Sequence, residues 1–102
     1  MKSRFHEAAD AELTEAVAYY DGKASGLGDR FLTEVKAATR YIEQYPKIAP
    51  VIDLGVRAKV LSKFPYSLMY VVEPDELFVV AVAHQSKRPA YWADRIPERS
   101  GG

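Results

Sequence analysis

The chain of 102 residues contains no cysteine. Disulfide bonds, thiolate catalysis and cysteine-ligated metal sites are therefore excluded. The two histidines, His6 and His84, do not stand in a metal-binding spacing, so we expect neither a metal nor another cofactor. The length allows one hydrophobic core. We expect a single domain over residues 1–96 and a disordered tail over residues 97–102.

An excess of charge of one sign is also missing. The 14 Lys and Arg residues balance the 14 Asp and Glu residues, which gives a net charge of +0. This balance disfavours a general nucleic-acid binder, because such affinity depends on excess cations. The longest apolar run, residues 77–83, is far too short to span a membrane, and the N-terminus lacks a signal-peptide core. We therefore expect a cytoplasmic protein with no membrane partner.

The first half of the chain has the apolar period of amphipathic helices. One helix is predicted over residues 6–23, where Asp21-Gly22 is expected to close it. A second is predicted from Leu27 up to Pro46, with one apolar stripe along its length. The short loop between them predicts an antiparallel helical hairpin.

After residue 55 the apolar period changes from helical to that of strands. Pro74-Asp75 is expected to form a turn that joins the last two strands into an antiparallel hairpin. The three predicted strands cover residues 56–64, 66–73 and 76–84.

The remaining segments complete the expected architecture. Residues 2–5 predict a short edge strand, residues 46–55 a connection, and residues 89–95 a short helix after a proline. Helices and strands are segregated, so the predicted class is α+β, with the helical hairpin packed on one face of a small twisted antiparallel sheet. We expect the opposite face of the sheet to stay free for another macromolecule.

The strand over residues 76–84 ends in the first candidate functional residue. Strict alternation places Phe78, Val80, Val82 and His84 on one face. A histidine at a strand end can act as a general acid or base, since imidazole titrates near pH ~6.5. The alternative is a structural histidine that caps the core or bonds the backbone.

Cations lie on either side of this histidine in the sequence. Arg57, Lys59 and Lys63 follow the strand alternation and are expected to share one face, and Lys87 and Arg88 follow His84. Cations beside a proton-transfer group would suit phosphodiester cleavage, because they stabilise the developing phosphorane. The alternative is a solvated face of the sheet.

Two aromatic residues precede the last arginine of the segment. Tyr91 and Trp92 are adjacent and cannot both point the same way on a helix; we expect Trp92 in the core. Tyr91 could be exposed to stack on a base or to anchor a protein interface, or it could also be core. The segment "SGLGDRF" contains glycines like a phosphate loop, but no strand precedes it, and no nucleophile elbow is present.

Four segments together resemble the RelE/ParE superfamily of toxins from type II toxin–antitoxin modules, the plasmid-stabilisation type. The resemblance covers about residues 4–95. Its segments, in chain order, are "FHEAADAELTEAVAYYD", "GLGDRFLTEV", "FPYSLMYVV" and "VVAVAHQSKRPAYWADR".

The resemblance implies a growth-arresting toxin that a cognate antitoxin holds inactive. RelE-like members cleave messenger RNA on the ribosome without a metal, and ParE-like members inhibit DNA gyrase without known nuclease activity. The RelE-like pattern, together with a histidine that other nucleases of the family carry near this end, gives a tentative catalytic set. The set lacks one cation, because Ser67 stands where the RelE-like pattern has an arginine. The set consists of His84, Arg88, Tyr91, Lys59 and Lys63.

Three functions remain open on the sequence. The first is a metal-independent endoribonuclease, in which the tentative set would converge on one concave patch. The second is a ParE-like, non-enzymatic inhibitor of gyrase. The third is a decayed toxin that only binds its antitoxin, in a groove between the helical hairpin and the sheet.

Overall fold

The structure, a computed structural model, describes residues 1–97. Most of the expected tail, residues 98–102, lies outside the described part of the chain. No helix within residues 1–97 is both long and apolar enough to cross a membrane. In chain order the elements are β1 Lys2–Phe5, α1 Glu7–Lys23, α2 Leu27–Gln44, β2 Val51–Asp53, β3 Val56–Val60, β4 Tyr66–Val72, β5 Glu76–His84 and a C-terminal 3₁₀ turn Ala93–Arg95.

Both helices form as the apolar period predicts, with small differences at their ends. α1 begins after His6, whose Nδ1 accepts the N–H of Ala8 at 2.9 Å and so satisfies a free donor of the first turn. Asp21-Gly22 does not close α1, because the helix continues to Lys23 and ends at an extended Ala24. α2 follows after a short loop, so the helices form the expected hairpin.

The glycines of "SGLGDRF" serve the helical hairpin. Gly26 has a φ of 83°, in the left-handed region that glycine adopts without strain. At Gly28 the two helices come so close that a Cβ would lie 2.5 Å from the carbonyl oxygen of Val17 and 2.8 Å from Asp21 Oδ1. The same Asp21 oxygen accepts the N–H of Gly28 at 2.9 Å, which fixes the start of α2.

The five strands form one mixed sheet in the order β1-β5-β4-β3-β2. The predicted strands pair antiparallel, whereas β1 joins the edge parallel to β5. The connection expected over residues 46–55 contains a strand of its own, β2, which pairs antiparallel with β3. Leu54 and Gly55 turn this hairpin with φ values of 51° and 77°. The predicted α+β fold is confirmed, with β2 added.

A bulge in β5 corrects the predicted distribution of side chains between the two faces. Tyr70 pairs with Val79 but Met69 pairs with Ala81, so Val80 is an extra residue in the ladder. Val80 therefore points away from the helices, while Val82 packs beneath them. His84 does not share a face with Val80, because an extra residue reverses the alternation beyond it.

The expectation of a free second face is wrong. The helices cover one face of the sheet, and a second buried cluster lies on the other. Trp92, 2% exposed, belongs to this second cluster, as expected of a core residue. Its other members are Val56, Met69, Val71, Phe78, Val80, Ala81 and Ala83.

The segment that carries Trp92 is only partly helical. The helix predicted over residues 89–95 is reduced to the 3₁₀ turn Ala93–Arg95. Ala90, with a φ of 59°, is in the left-handed region and interrupts any helix there. The short segment can therefore lie against the second face, with Ala90, Tyr91, Ala93 and Ile96 packed beside the buried tryptophan.

Candidate functional site at the end of strand β5

Glu12 of α1 is the polar residue that joins the end of β5 to the C-terminal segment. Its Oε1 accepts from Arg95 Nη1 at 2.9 Å, and its Oε2 accepts from the Tyr91 hydroxyl at 2.7 Å. The two charged side chains are mostly buried, with exposed fractions of 16% for Arg95 and 18% for Glu12. This ion pair joins the first helix to the C-terminal segment.

The same ion pair also forms hydrogen bonds with backbone groups on the unpaired edge of β5, which we call the rim of β5. Pairing with β1 ends at Phe5 and Val79, so within residues 1–97 no strand lies on that side of the last residues of β5. There the N–H of Val82 donates to Glu12 Oε1 at 3.0 Å, and the carbonyl of Val80 accepts from Arg95 Nη1 at 3.0 Å. Because unpaired backbone groups at a buried edge are costly, the pair takes the place of a missing strand.

Tyr91 is held in its neutral form. Burial, then the hydrogen bond to Glu12 and its negative charge, raise the pKa of Tyr91 well above the ordinary value, and the nearby Arg95 only partly offsets this. The hydroxyl donates its proton to Glu12 at 2.7 Å. A phenol in this state is a poor general acid or base near neutral pH.

His84 is held by its own following loop. Its Nδ1 accepts the N–H of Ser86 at 2.9 Å and lies 2.7 Å from the Ser86 hydroxyl. The neutral ring therefore carries its proton on Nε2 and offers a donor there. The ring also meets Tyr66 edge-on, with centroids 5.0 Å apart. The backbone bond corresponds to the structural alternative for this residue, and it opposes a role as general base.

Three of the five tentative catalytic residues lie together. His84, Arg88 and Tyr91 line a concavity of about 150 Å³ between the end of β5 and the C-terminal segment. Ser67, the position that lacks the cation of the RelE-like pattern, lines it too. Within residues 1–97, no three His, Asp or Glu side chains are grouped so that they could hold a metal ion.

The two tentative lysines do not line this concavity. Lys59 points to the helix face of the sheet, and its Nζ lies 5.4 Å from the ring centroid of Tyr41 in α2. Lys63 follows the end of β3 instead of continuing its alternation, and its N–H donates to Glu34. Arg57, also on the helix face, donates to the carbonyls of Lys47 and Ala49. Arg57 and Lys59 therefore share one face as alternation predicts, whereas Lys63 lies beyond the strand.

Sequence reasoning missed Glu12, although a signal was available. Glu12 lies three residues after Ala9 and four before Ala16, the two buried alanines of α1, and so falls on the buried stripe. A carboxylate on a buried stripe requires a partner. That the partner is Arg95 could not be read from the sequence, because 83 positions separate the two residues.

A second concave surface lies between α2 and the β3–β4 connection. This interhelical-sheet groove, about 910 Å³, has apolar walls that include Tyr20, Phe64 and Pro65. Its charged lining residues are the cations Arg30 and Lys63 and the anions Asp29 and Glu34.

Comparison with known proteins decides the family. The sequence profile described as "ParE toxin of type II toxin-antitoxin system, parDE" matches residues 4–89, most of the chain. The chain belongs to the ParE toxin family. The match includes Glu12 but ends before its two partners, Tyr91 and Arg95, in this ParE-family chain.

A solved structure agrees with this assignment at the level of the fold. It is described as "Chromosomal ParDE TA system from P. aeruginosa", and the superposition covers 82% of this chain and 95% of that chain with a TM-score of 0.62. The sequences are 18% identical, so the similarity concerns the fold alone. No curated protein matches the chain.

Proposed function

We propose that this ParE-family chain is a growth-arresting toxin that acts without catalysis, by binding DNA gyrase in the cytoplasm. In the superfamily that this sequence resembles, ParE-like members inhibit gyrase and RelE-like members cleave RNA. The family profile supports the ParE-like alternative. A protein target also agrees with the net charge of +0, which gives no general attraction to ribosomal RNA.

The observation that carries this proposal is that the Tyr91 hydroxyl is buried and donates its proton to Glu12. A nuclease would need free proton-transfer groups beside cations, but the Tyr91 hydroxyl is bonded to Glu12 and the Nδ1 of His84 is bonded to Ser86. The lysines of the tentative set lie elsewhere.

The endoribonuclease remains the second candidate, because His84 and Arg88 line one concavity with Tyr91. In that case His84 Nε2–H would act as a donor and Arg88 would stabilise the developing charge on phosphate. The reaction would still lack the cation that Ser67 replaces.

Induction of the toxin alone tests these functions in one experiment. We expect growth arrest, accumulation of broken DNA and inhibition of supercoiling by purified gyrase, with no new transcript ends by RNA sequencing. New RNA ends that disappear in His84→Ala and Arg88→Ala would instead establish the nuclease. Harmless overexpression would establish a decayed toxin and contradict both proposals.

We further propose that the cognate antitoxin lies in the interhelical-sheet groove. An amphipathic segment could place apolar anchors against Phe64 and Pro65 and its carboxylates near Arg30 and Lys63. Such a segment would be disordered when free and would fold on binding.

Charge reversal in the groove tests the antitoxin site. The partner to be used is the small protein encoded by the adjacent reading frame, co-expressed with the toxin. Arg30→Glu with Lys63→Glu should weaken the complex by about a hundredfold, since each unfavourable charge contact costs on the order of 1–2 kcal/mol. Lys2→Glu, an exposed change on β1, is the matched control and should leave binding unchanged. Equal affinity in all three proteins would contradict this site.

A further inference from the structure

The two outer edges of the sheet are built differently. On one side β1 carries the exposed cations Lys2 and Arg4, and Arg4 Nε pairs with Glu76 at 3.0 Å. Beyond β1, Glu12 and Arg95 close the rim of β5. Charged side chains and capped backbone groups are the usual protection of a sheet edge against pairing with another chain.

The other edge, β2, lacks this protection. All three residues of β2, Val51–Asp53, are exposed, and only Asp53 is charged. No other strand among residues 1–97 pairs with the outer side of β2, because β2 is last in the sheet order. An exposed apolar edge strand is a template for pairing with a further strand.

Exposed hydrophobic side chains are concentrated around this edge. Of nine large hydrophobic residues that are exposed in the described chain, seven fall between residues 41 and 60. They lie on the last turns of α2, on the β2 hairpin and at the end of β3, and we call them the β2 patch. The β2 patch consists of Tyr41, Tyr45, Ile48, Val51, Ile52, Leu54 and Val60.

The charges around the β2 patch favour a partner that is itself neutral there. The β2 hairpin, residues 47–56, contains one cation, Lys47, and one anion, Asp53. Two further cations border the patch on the helix face: Arg57 donates to the carbonyls of Lys47 and Ala49, and Lys59 lies 5.4 Å from the ring centroid of Tyr41. By contrast α1 carries five carboxylates and a single lysine, so it would repel a second α1. A strongly acidic or basic partner would gain little electrostatic attraction at β2. A second β2 strand, which is itself nearly neutral, would meet little like-charge repulsion there.

The position of α1 in the fold removes that repulsion from an edge-to-edge pair. α1 packs over β5, which is three strands from β2. With strands ~4.8 Å apart, two copies joined at β2 would hold their α1 helices roughly 30 Å from each other. This distance exceeds the screening length of about 8–10 Å at physiological salt. The chain as a whole adds no repulsion, since its net charge is +0.

We propose that the β2 patch is the interface with a second copy of this chain, formed by antiparallel pairing of the two β2 strands about a two-fold axis. Such pairing is self-complementary, because the same strand meets itself and both exposed backbone rows are satisfied. A two-fold axis perpendicular to the sheet keeps both helical hairpins on one side. There Tyr41 and Tyr45, whose ring centroids lie 5.3 Å apart, extend the interface beyond the strands. Dimerisation through β2 does not depend on whether the toxin binds gyrase.

The test is the molar mass of the purified toxin in sedimentation and light-scattering experiments over a wide concentration range. We expect a concentration-dependent dimer, and Ile52→Lys should weaken it at least about tenfold, since it places charge at a buried interface centre. Tyr19→Lys is the matched control, because Tyr19 is 57% exposed and Ile52 51%. This control should dimerise like the natural chain.

Two further measurements keep the test decisive. Circular dichroism establishes that Ile52→Lys is folded, and Leu54→Lys provides a second change in the same hairpin if it is not. In the natural chain, the amides of Val51–Asp53 should exchange more slowly as concentration rises. A chain that is monomeric throughout, or a dimer weakened equally by Tyr19→Lys, would overturn the proposal.

Discussion

Both faces of the sheet are buried, one by two long helices and the other by a short C-terminal segment. α1 and α2 cover one face with two continuous helices and the buried residues Phe31, Val35 and Ile42. The other face is covered by one short C-terminal segment that depends on Trp92 and on the bond from Arg95 to Glu12. Because the C-terminal segment makes so few contacts, it can unfold locally, whereas the two helices can detach from the sheet only when the whole domain unfolds.

The largest expected effect comes from removing the tryptophan of the second face. Trp92→Ala should lower the free energy of unfolding by about 3–5 kcal/mol, because it leaves a large cavity over the sheet. Denaturant unfolding measures the loss. Tyr19→Ala, at an exposed aromatic, should change stability by less than about 0.5 kcal/mol. Comparable effects of the two changes would mean that Trp92 does not cover this face.

The next largest effect is expected at Gly28, where α1 and α2 of the helical hairpin come into close contact. Gly28→Ala should destabilise by about 1–3 kcal/mol, because its Cβ would overlap the Val17 carbonyl. Gly22→Ala is the matched control, since a Cβ there meets nothing within 4 Å. It should stabilise α1 by about 0.5–1 kcal/mol. Thermal unfolding of both variants measures this contrast, and a stable Gly28→Ala protein would contradict the packing described.

An effect of similar size is expected from removing the charge of Glu12, which joins α1 to the C-terminal segment. Glu12→Gln should cost about 1–3 kcal/mol, because it leaves the mostly buried Arg95 without its anion. Amide exchange at Val82 should accelerate more than exchange within α2, which would show local loosening of the second face. The control Glu15→Gln, at an exposed position of α1, should leave both rates unchanged. Uniform acceleration over the whole chain would mean that the two covers unfold together.

The smallest effect is a difference in alkaline stability. The pKa of Tyr91 is raised in the folded protein by burial first and by Glu12 second, so the folded state retains this proton longer than the unfolded state. Its stabilising contribution is complete below the ordinary tyrosine pKa of about 10 and is lost as pH rises above it. Stability against pH should therefore fall less steeply in Tyr91→Phe. Identical slopes would contradict the buried, bonded phenol.

Prediction from the sequence succeeded where the signal was local. The helical stripe through Phe31 and Val35 and the alternation in β4 each repeat over several residues, so these elements were placed correctly. β2 was missed because Pro50 precedes it and Leu54 occupies a left-handed turn position that usually carries Asn, Asp or Gly. The face of His84 was assigned wrongly because one extra residue, Val80, reverses the alternation.

The candidate site could be predicted only in part. His84, Arg88 and Tyr91 are close in sequence, and the structure places them around one concavity. Lys59 and Lys63 were joined to them by the pattern of a related toxin branch, and the structure holds them beside other residues. That pattern could not reveal that the Tyr91 hydroxyl is already bonded to Glu12.

The sequence by itself determined the helices, the three central strands, the α+β class and the family, because periodicity and segment order are properties of neighbouring residues. Only the tertiary structure decided that β1 joins β5 in parallel, that Glu12 and Arg95 close the rim of β5, and that Trp92 covers the second face. These contacts join residues far apart in the chain. Their partners are selected by burial and hydrogen bonding in the folded state, and no local pattern encodes that choice.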